Sequence, residues 1–328
     1  MPQLPVHPMM GEPPGRIAPS DELVNAFEFE AMAQRRLDSV TYALVAGGSR
    51  KPFDRITLRP RVMINTTKLD LTLDLFGRQM FAPLLIGPVS QQKRFHPEAE
   101  LAMARGAAAA QALMVISDRA SQPLDQIAPL CKAGFWYQVY AEGDMAGATA
   151  RAKEAVRAGA KAVVLTPGKT GLDWNAIDRL RQACGAPLVL KGVMSAEEAQ
   201  TCVQKGVQGI IVSGYVSGAV SGLGDGPVSG FATAIEVLPA VADAVAGKIP
   251  VLMDGGLCRG ADMLKALALG ARAVLIARPA VWGLAAYGAD GVQRVTEMLQ
   301  TELARDMAMC GKPNLRAIDR TTVRLHRW

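Results

Sequence analysis

Asp254-Gly255-Gly256 and Ala277-Arg278-Pro279 each close an apolar run, and a helical pattern separates the two. Glycines at a strand end let backbone N–H groups approach an anion, and Arg259 and Arg278 add positive charge there. In a β/α barrel the loops after the seventh and eighth strands are the usual phosphate site. The segment therefore predicts a phosphate-bearing cofactor. Lys191 directly follows the apolar run Pro187-Leu188-Val189-Leu190, so it emerges at the same end of such a barrel. Gly- and Ser-rich residues 213–230, with Asp225 among them, read as a lid.

Eight short apolar runs position these residues: 84–89, 114–117, 135–141, 162–167, 187–193, 209–213, 250–256 and 273–279. They are continuous rather than alternating, as in parallel strands buried on both faces. Helical patterns at 97–111, 144–158, 173–184, 195–205, 231–246 and 260–269 separate them, and Ser195-Ala-Glu-Glu198 is a capping box. Eight β-α units predict an α/β fold, a (β/α)8 barrel at residues 81–310. An open doubly wound sheet is the alternative, and the count of eight favours closure. Residues 1–80 form an N-terminal extension: an arm at 1–19 with six prolines, a helix at 20–36 and a hairpin within 56–75 beneath the barrel. The tail, 311–328, packs on the body or on a neighbouring subunit.

The chain has 328 residues, half of them hydrophobic, with a net charge of +6. That is enough for one large domain, and the scattered basic residues argue against nucleic-acid binding. The five cysteines are widely spaced with no CxxC, which argues against disulfides and metal and fits a reducing cytoplasm. No apolar run reaches the roughly 18–20 residues that span a bilayer, and no signal-peptide pattern opens the chain. A cytoplasmic protein with a small-molecule substrate and no membrane partner is expected.

Taken in order, several stretches resemble the FMN-dependent α-hydroxy-acid oxidase and dehydrogenase family. They are Phe53-Asp-Arg-Ile-Thr-Leu-Arg-Pro-Arg-Val62, His96-Pro-Glu-Ala-Glu100, Gln138-Val-Tyr140, Leu190-Lys-Gly192, Ile211-Val-Ser213, the Asp254 segment and Ala277-Arg-Pro279. The resemblance implies a (β/α)8 barrel with FMN across its C-terminal mouth. It places Gly87 and Pro88 beside the flavin ring, with Ser117, Gln138 and Ser213 touching it. It places Lys191 at the flavin N1 edge, where a cation stabilises the reduced ring. Asp254, Gly255, Gly256, Arg259, Ala277 and Arg278 would hold the ribityl chain and phosphate, and Tyr140 would contact the substrate hydroxyl. Homo-oligomers, often tetramers, are also implied.

The pattern breaks on the substrate side. Where the family carries its basic histidine, this chain has Tyr215, and the arginine that follows falls at about Gly218. A second substrate arginine is lost with the short loop 165–173, and Ala43 stands where an active-site tyrosine is expected. His96 reads as a packing residue at a helix start. Arg119 replaces a tryptophan, and either binds a carboxylate or phosphate at the mouth or forms a surface ion pair. Cys258 replaces an arginine of the phosphate loop and reads as a small residue in a tight turn. An unperturbed tyrosine titrates near pH 10, so Tyr215 acts as a donor or acid unless neighbouring cations lower it. Asp225 is the other candidate base. An FMN-dependent oxidoreductase acting on a CH–OH group is the leading expectation. A non-redox flavin isomerase and an inactive FMN-binding protein are the alternatives.

Overall fold

The computed structural model describes residues 17–46, 50–141, 144–167, 173–214 and 232–326. Three short strands come first, β1 (Ile56–Leu58), β2 (Leu73–Leu75) and β3 (Arg78–Met80). The barrel strands follow: β4 (Leu84–Ile86), β5 (Leu113–Ser117), β6 (Phe135–Ala141), β7 (Val163–Pro167), β8 (Leu188–Val193), β9 (Gly209–Val212), β10 (Val251–Asp254) and β11 (Ala273–Ile276). All eight pair in parallel with their sequence neighbours, and β11 closes on β4. The expected (β/α)8 barrel is therefore present. A last strand, β12 (Val323–Leu325), pairs antiparallel with β1.

The helices are α1 (Ala26–Arg36), α2 (Ser39–Ala43), α3 (Lys51–Asp54), α4 (Ala99–Ala109), α5 (Leu124–Ile127), α6 (Met145–Arg157), α7 (Trp174–Cys184), α8 (Ala196–Gln204), α9 (Ala234–Val245), α10 (Gly260–Ala268) and α11 (Arg278–Met309). Asn25 caps α1 by accepting from Phe27 N at 3.0 Å, so the helix begins later than the sequence pattern suggested. Its buried Phe29 meets Tyr287 of α11 edge-on, with ring centroids 5.8 Å apart. Trp282 of α11 donates its indole N–H to Val45 O at 2.8 Å, which ties the N-terminal segment to the end of β11.

The expected 56–75 hairpin is a correction. β1 pairs with β12, and the hairpin is formed by β2 and β3. Phe76 and Gly77 make that turn at φ 51° and 72°, and only the glycine adopts this left-handed conformation at no steric cost. Leu73, Leu75 and Met80 of the hairpin are buried with the barrel's interior residues.

Two hydrophobic layers follow from the two-residue period of the strands. Leu85, Val115, Trp136, Val164, Val189, Ile211, Leu252 and Leu275 fill the barrel interior. Alternate residues such as Ile86, Met114, Val139, Leu165 and Val212 pack outward against the helices. Two residues beyond each interior side chain, the same face reaches the C-terminal mouth. There stand Gly87, Ser117, Gln138, Thr166, Lys191, Ser213, Asp254 and Ala277.

Candidate active site

Parity along the strands thus gathers most of the expected cofactor residues on one face. Lys191 is 2% exposed and donates to Ser213 Oγ at 2.8 Å. Its Nζ also lies 2.8 Å from Asp254 Oδ2, so three adjacent strands are joined by one buried ammonium. Gln138 donates from Nε2 to Thr166 Oγ1 at 2.6 Å, while its buried Oε1 has no protein partner among the described residues. Ser117 Oγ lies 3.0 Å from Ser90 Oγ and accepts from Arg119 N at 3.2 Å. Gly87 donates to Ile276 O at 2.7 Å across the β4–β11 seam, and Pro88 follows it.

A glycine turn follows β10. Gly255 and Gly256 take φ of 98° and 74°, and a Cβ placed on Gly255 meets nothing within 4 Å. Open space beside a left-handed glycine suits a backbone that receives a ligand. Ala277 caps α11 and Arg278 is its first residue, so Arg278 stands at a helix N-terminus. Arg259 has a different partner from the one expected. Its guanidinium pairs with Glu302 of α11, Nε lying 2.9 and 3.0 Å from the two carboxylate oxygens. Glu302 also accepts from Gly260 N at 2.7 Å. Arg259 therefore fastens the start of α10 to α11 through one edge of its guanidinium.

Elsewhere on the rim, the Arg119 guanidinium carbon lies 3.9 Å above the Tyr140 ring. The planar group stacks on the aromatic face, which fixes its direction. A cavity of about 250 Å³ opens here, lined by Asp118, Arg119, Tyr140, Asp144 and Arg151. Asp118 was not among the expected site residues. It follows Ser117, so strand parity turns it outward toward α6. There it accepts from Arg151 Nε at 3.2 Å and Tyr140 N at 3.4 Å. Burial raises its carboxyl pKa, and Arg151 and Arg119 oppose the rise. Its place directly after a barrel strand was the available signal.

Glu100 of α4 is 1% exposed and joins the loops after β4 and β5. It accepts from Gln92 N at 3.0 Å, Ser121 N at 2.9 Å and Ser121 Oγ at 2.8 Å. Cys258 is buried, and desolvation pushes its thiol up to about 12, which fits a small packing residue. His96 lies against the α11 kink at Gly288, where a Cβ would meet its Nε2 at 3.1 Å. Tyr215 and Asp225 lie outside the described residues, as do most of the expected lid and the short loop at 168–172.

A barrel whose mouth carries a buried lysine, an unsatisfied glutamine oxygen and a glycine-arginine anion loop is the scaffold of a phosphate-bearing cofactor enzyme. Comparison with known proteins gives the class. The model of the FMN-dependent dehydrogenases matches residues 33–169 and 167–325. A peroxisomal (S)-2-hydroxyacid oxidase of Arabidopsis thaliana is 34% identical, covering 93% of this chain and 97% of the relative. An L-lactate oxidase of Nostoc sp. is 31% identical, covering 92% of this chain and 98% of the relative. A crystal structure of mandelate oxidase with (S)-2-phenylpropionate superposes with a TM-score of 0.86 at 31% identity, covering 93% of this chain and all of that one. The chain belongs to the FMN-dependent dehydrogenase family, and its cofactor is FMN.

The residues present fit that cofactor. The orphaned Gln138 Oε1 needs a donor, which a flavin ring edge supplies. The Gly255 backbone has room for a ribityl-phosphate, and Arg278 supplies a cation at a helix start.

Proposed function

We propose that this oxidoreductase oxidises a small 2-hydroxy acid, or a hydroxy compound with a comparable anionic group, in a substrate site unlike that of its relatives. The observation that supports this reading is the Arg119–Tyr140 stack at the mouth, 3.9 Å from guanidinium to ring. An arginine held flat by an aromatic ring presents its N–H fork to a carboxylate, and the Tyr140 hydroxyl is the candidate partner for the substrate oxygen. When bound, FMN supplies a two-electron acceptor for a hydride from the substrate carbon.

The protein's own part is positioning and charge. Lys191 holds a buried positive charge where negative charge develops. Asp254 and Ser213 fix its direction. Asp118 and Arg151 clasp the β6 end and so set the height of Tyr140. The substrate proton needs a base, and Tyr215 and Asp225 are the candidates by sequence.

Anaerobic mixing of the yellow protein with a panel of 2-hydroxy acids tests the reading. Bleaching of the flavin by at least one is the expected result. No bleaching by any of them removes this activity. A requirement for prereduced flavin without net redox change would favour an isomerase, and inertness in both assays an inactive binding protein.

Cytoplasmic location and self-association belong to the same proposal. All five cysteines are free and buried, which suits a reducing compartment. Among the described residues no helix is long and apolar enough to cross a membrane. Val62, Met63 and Met309 are 83%, 101% and 59% exposed. Arg61 N donates to Met309 O, which brings these segments together as an apolar patch suited to a second copy. Light scattering on the purified protein checks the assembly, and a monomer at micromolar concentration removes it.

A further inference from the structure

Arg50 is an ionic group whose place none of the preceding roles explains. It sits in the N-terminal segment, 212 residues from its partner Asp262. Its Nη2 lies 2.9 and 3.0 Å from the two Asp262 oxygens, and the guanidinium carbon is 4.9 Å from the Phe27 ring centroid. The Asp262 side chain is 0% exposed, while that of Arg50 is 29% exposed. The pair is therefore buried on the carboxylate side and open on the guanidinium side. Nε of Arg50 has no acceptor among the described residues.

Asp262 also builds the phosphate loop. Its Oδ2 accepts from Cys258 N at 3.1 Å and Arg259 N at 3.0 Å, directly after Gly255 and Gly256. The carboxylate thus holds the loop on one side and Arg50 on the other. Cys258 puts no charge in this turn, and Arg259 is committed to Glu302. Arg278 at the start of α11 is the cation already at this loop, and a doubly charged phosphate is held better when a second one joins it.

We propose that Arg50 is a phosphate-binding residue for FMN, delivered to the β10–α10 loop from the N-terminal segment and held there by Asp262. The inference rests on FMN as the cofactor and is independent of which substrate is oxidised. It makes cofactor retention depend on docking of residues 50–54, which no barrel strand contributes.

Flavin competition on the full-length holoprotein tests it, because riboflavin is FMN without the phosphate. A charge-assisted hydrogen bond contributes about 1.5–3 kcal/mol, or roughly 10- to 100-fold in affinity. Arg50→Ala is expected to weaken FMN at least tenfold and riboflavin less than threefold, with the FMN loss shrinking at high salt. Arg50→Ala leaves Asp262 without its cation, so a second variant, Arg50→Gln with Asp262→Asn, removes both charges and keeps a hydrogen-bonded pair. The same selective loss of FMN is expected there. Equal weakening of FMN and riboflavin in the double variant, or unchanged FMN affinity in it, overturns the proposal. If Arg50→Ala does not fold, the double variant is compared with Asp262→Asn alone, and an equal FMN loss in the two overturns the proposal.

Discussion

Replacing Lys191 with methionine separates the buried ammonium from the rest of the site. Lys191 is 2% exposed, and its removal leaves Asp254, with a side chain 19% exposed, facing the space the charge occupied. Removing one partner of a fully buried pair costs about 3–5 kcal/mol. Solvent reaches a fifth of Asp254, so a loss of about 2–3 kcal/mol is expected. In a chain of this size that lowers the melting temperature by roughly 3–4 °C. The measurement uses flavin-stripped protein, because a bound ligand adds its own stability. Lys191→Met with Asp254→Asn removes both charges, and the double-mutant cycle is expected to show a coupling of about 1.5–2.5 kcal/mol. Turnover of Lys191→Met is expected to fall about 100-fold, with a smaller change in KM. Single losses under about 0.5 kcal/mol, or losses that simply add in the double variant, refute the buried-pair reasoning.

Arg119→Ala is expected to raise KM for a carboxylate substrate about tenfold or more, and Arg119→Lys is not expected to restore it, because an ammonium cannot stack flat on Tyr140. Cys258 is expected to resist a thiol reagent at pH 8 in the native protein and to react on unfolding, since burial pushes its thiol up to about 12. Gly260→Ala is expected to lose about 3 kcal/mol or more in urea unfolding. Its Cβ would lie 2.3 Å from Leu303 N and 2.4 Å from the Glu302 carbonyl carbon, both backbone atoms with little freedom to move. Burial lowers the His96 pKa below its usual 6.5, so its contribution to stability is present above pH 6.5 and declines as pH falls through the lowered value. The difference in melting temperature between the parent and His96→Gln is expected to shrink on acidification.

The barrel, and which residues share its mouth, were legible because they repeat one rule. Continuous apolar runs mark strands buried on both faces, and the side chain two places beyond an interior residue reaches the mouth. That is how Lys191, Ser213, Gln138 and Asp254 come together from four strands. Pairings between distant segments were not legible. β1 and β12 are too short and too ordinary in sequence to declare each other as partners, and the 56–75 hairpin was misplaced for that reason. The pairing of Arg259 with Glu302 was hidden for a related cause. A basic residue in a glycine loop gives no sign in sequence of the carboxylate 43 positions away that pairs with it.

Asp118 shows how parity divides the labour at the rim. Ser117 points inward and Asp118, one residue on, points outward to Arg151 of α6. The inward set faces the barrel mouth and is held by the barrel's own packing. The outward set lies behind the end of β6, which carries Tyr140, and the loop after β5, which carries Arg119; Glu100 of α4 ties that loop to the one after β4. Interior strand residues are constrained by all their neighbours at once, whereas rim residues answer only to the helix behind them. A change of substrate therefore falls most readily on Arg119 and the loops after β7 and β9, and least readily on Lys191. A chain that keeps the inward set and alters the rim is one in which the cofactor's chemistry stays fixed while the molecule it acts on changes.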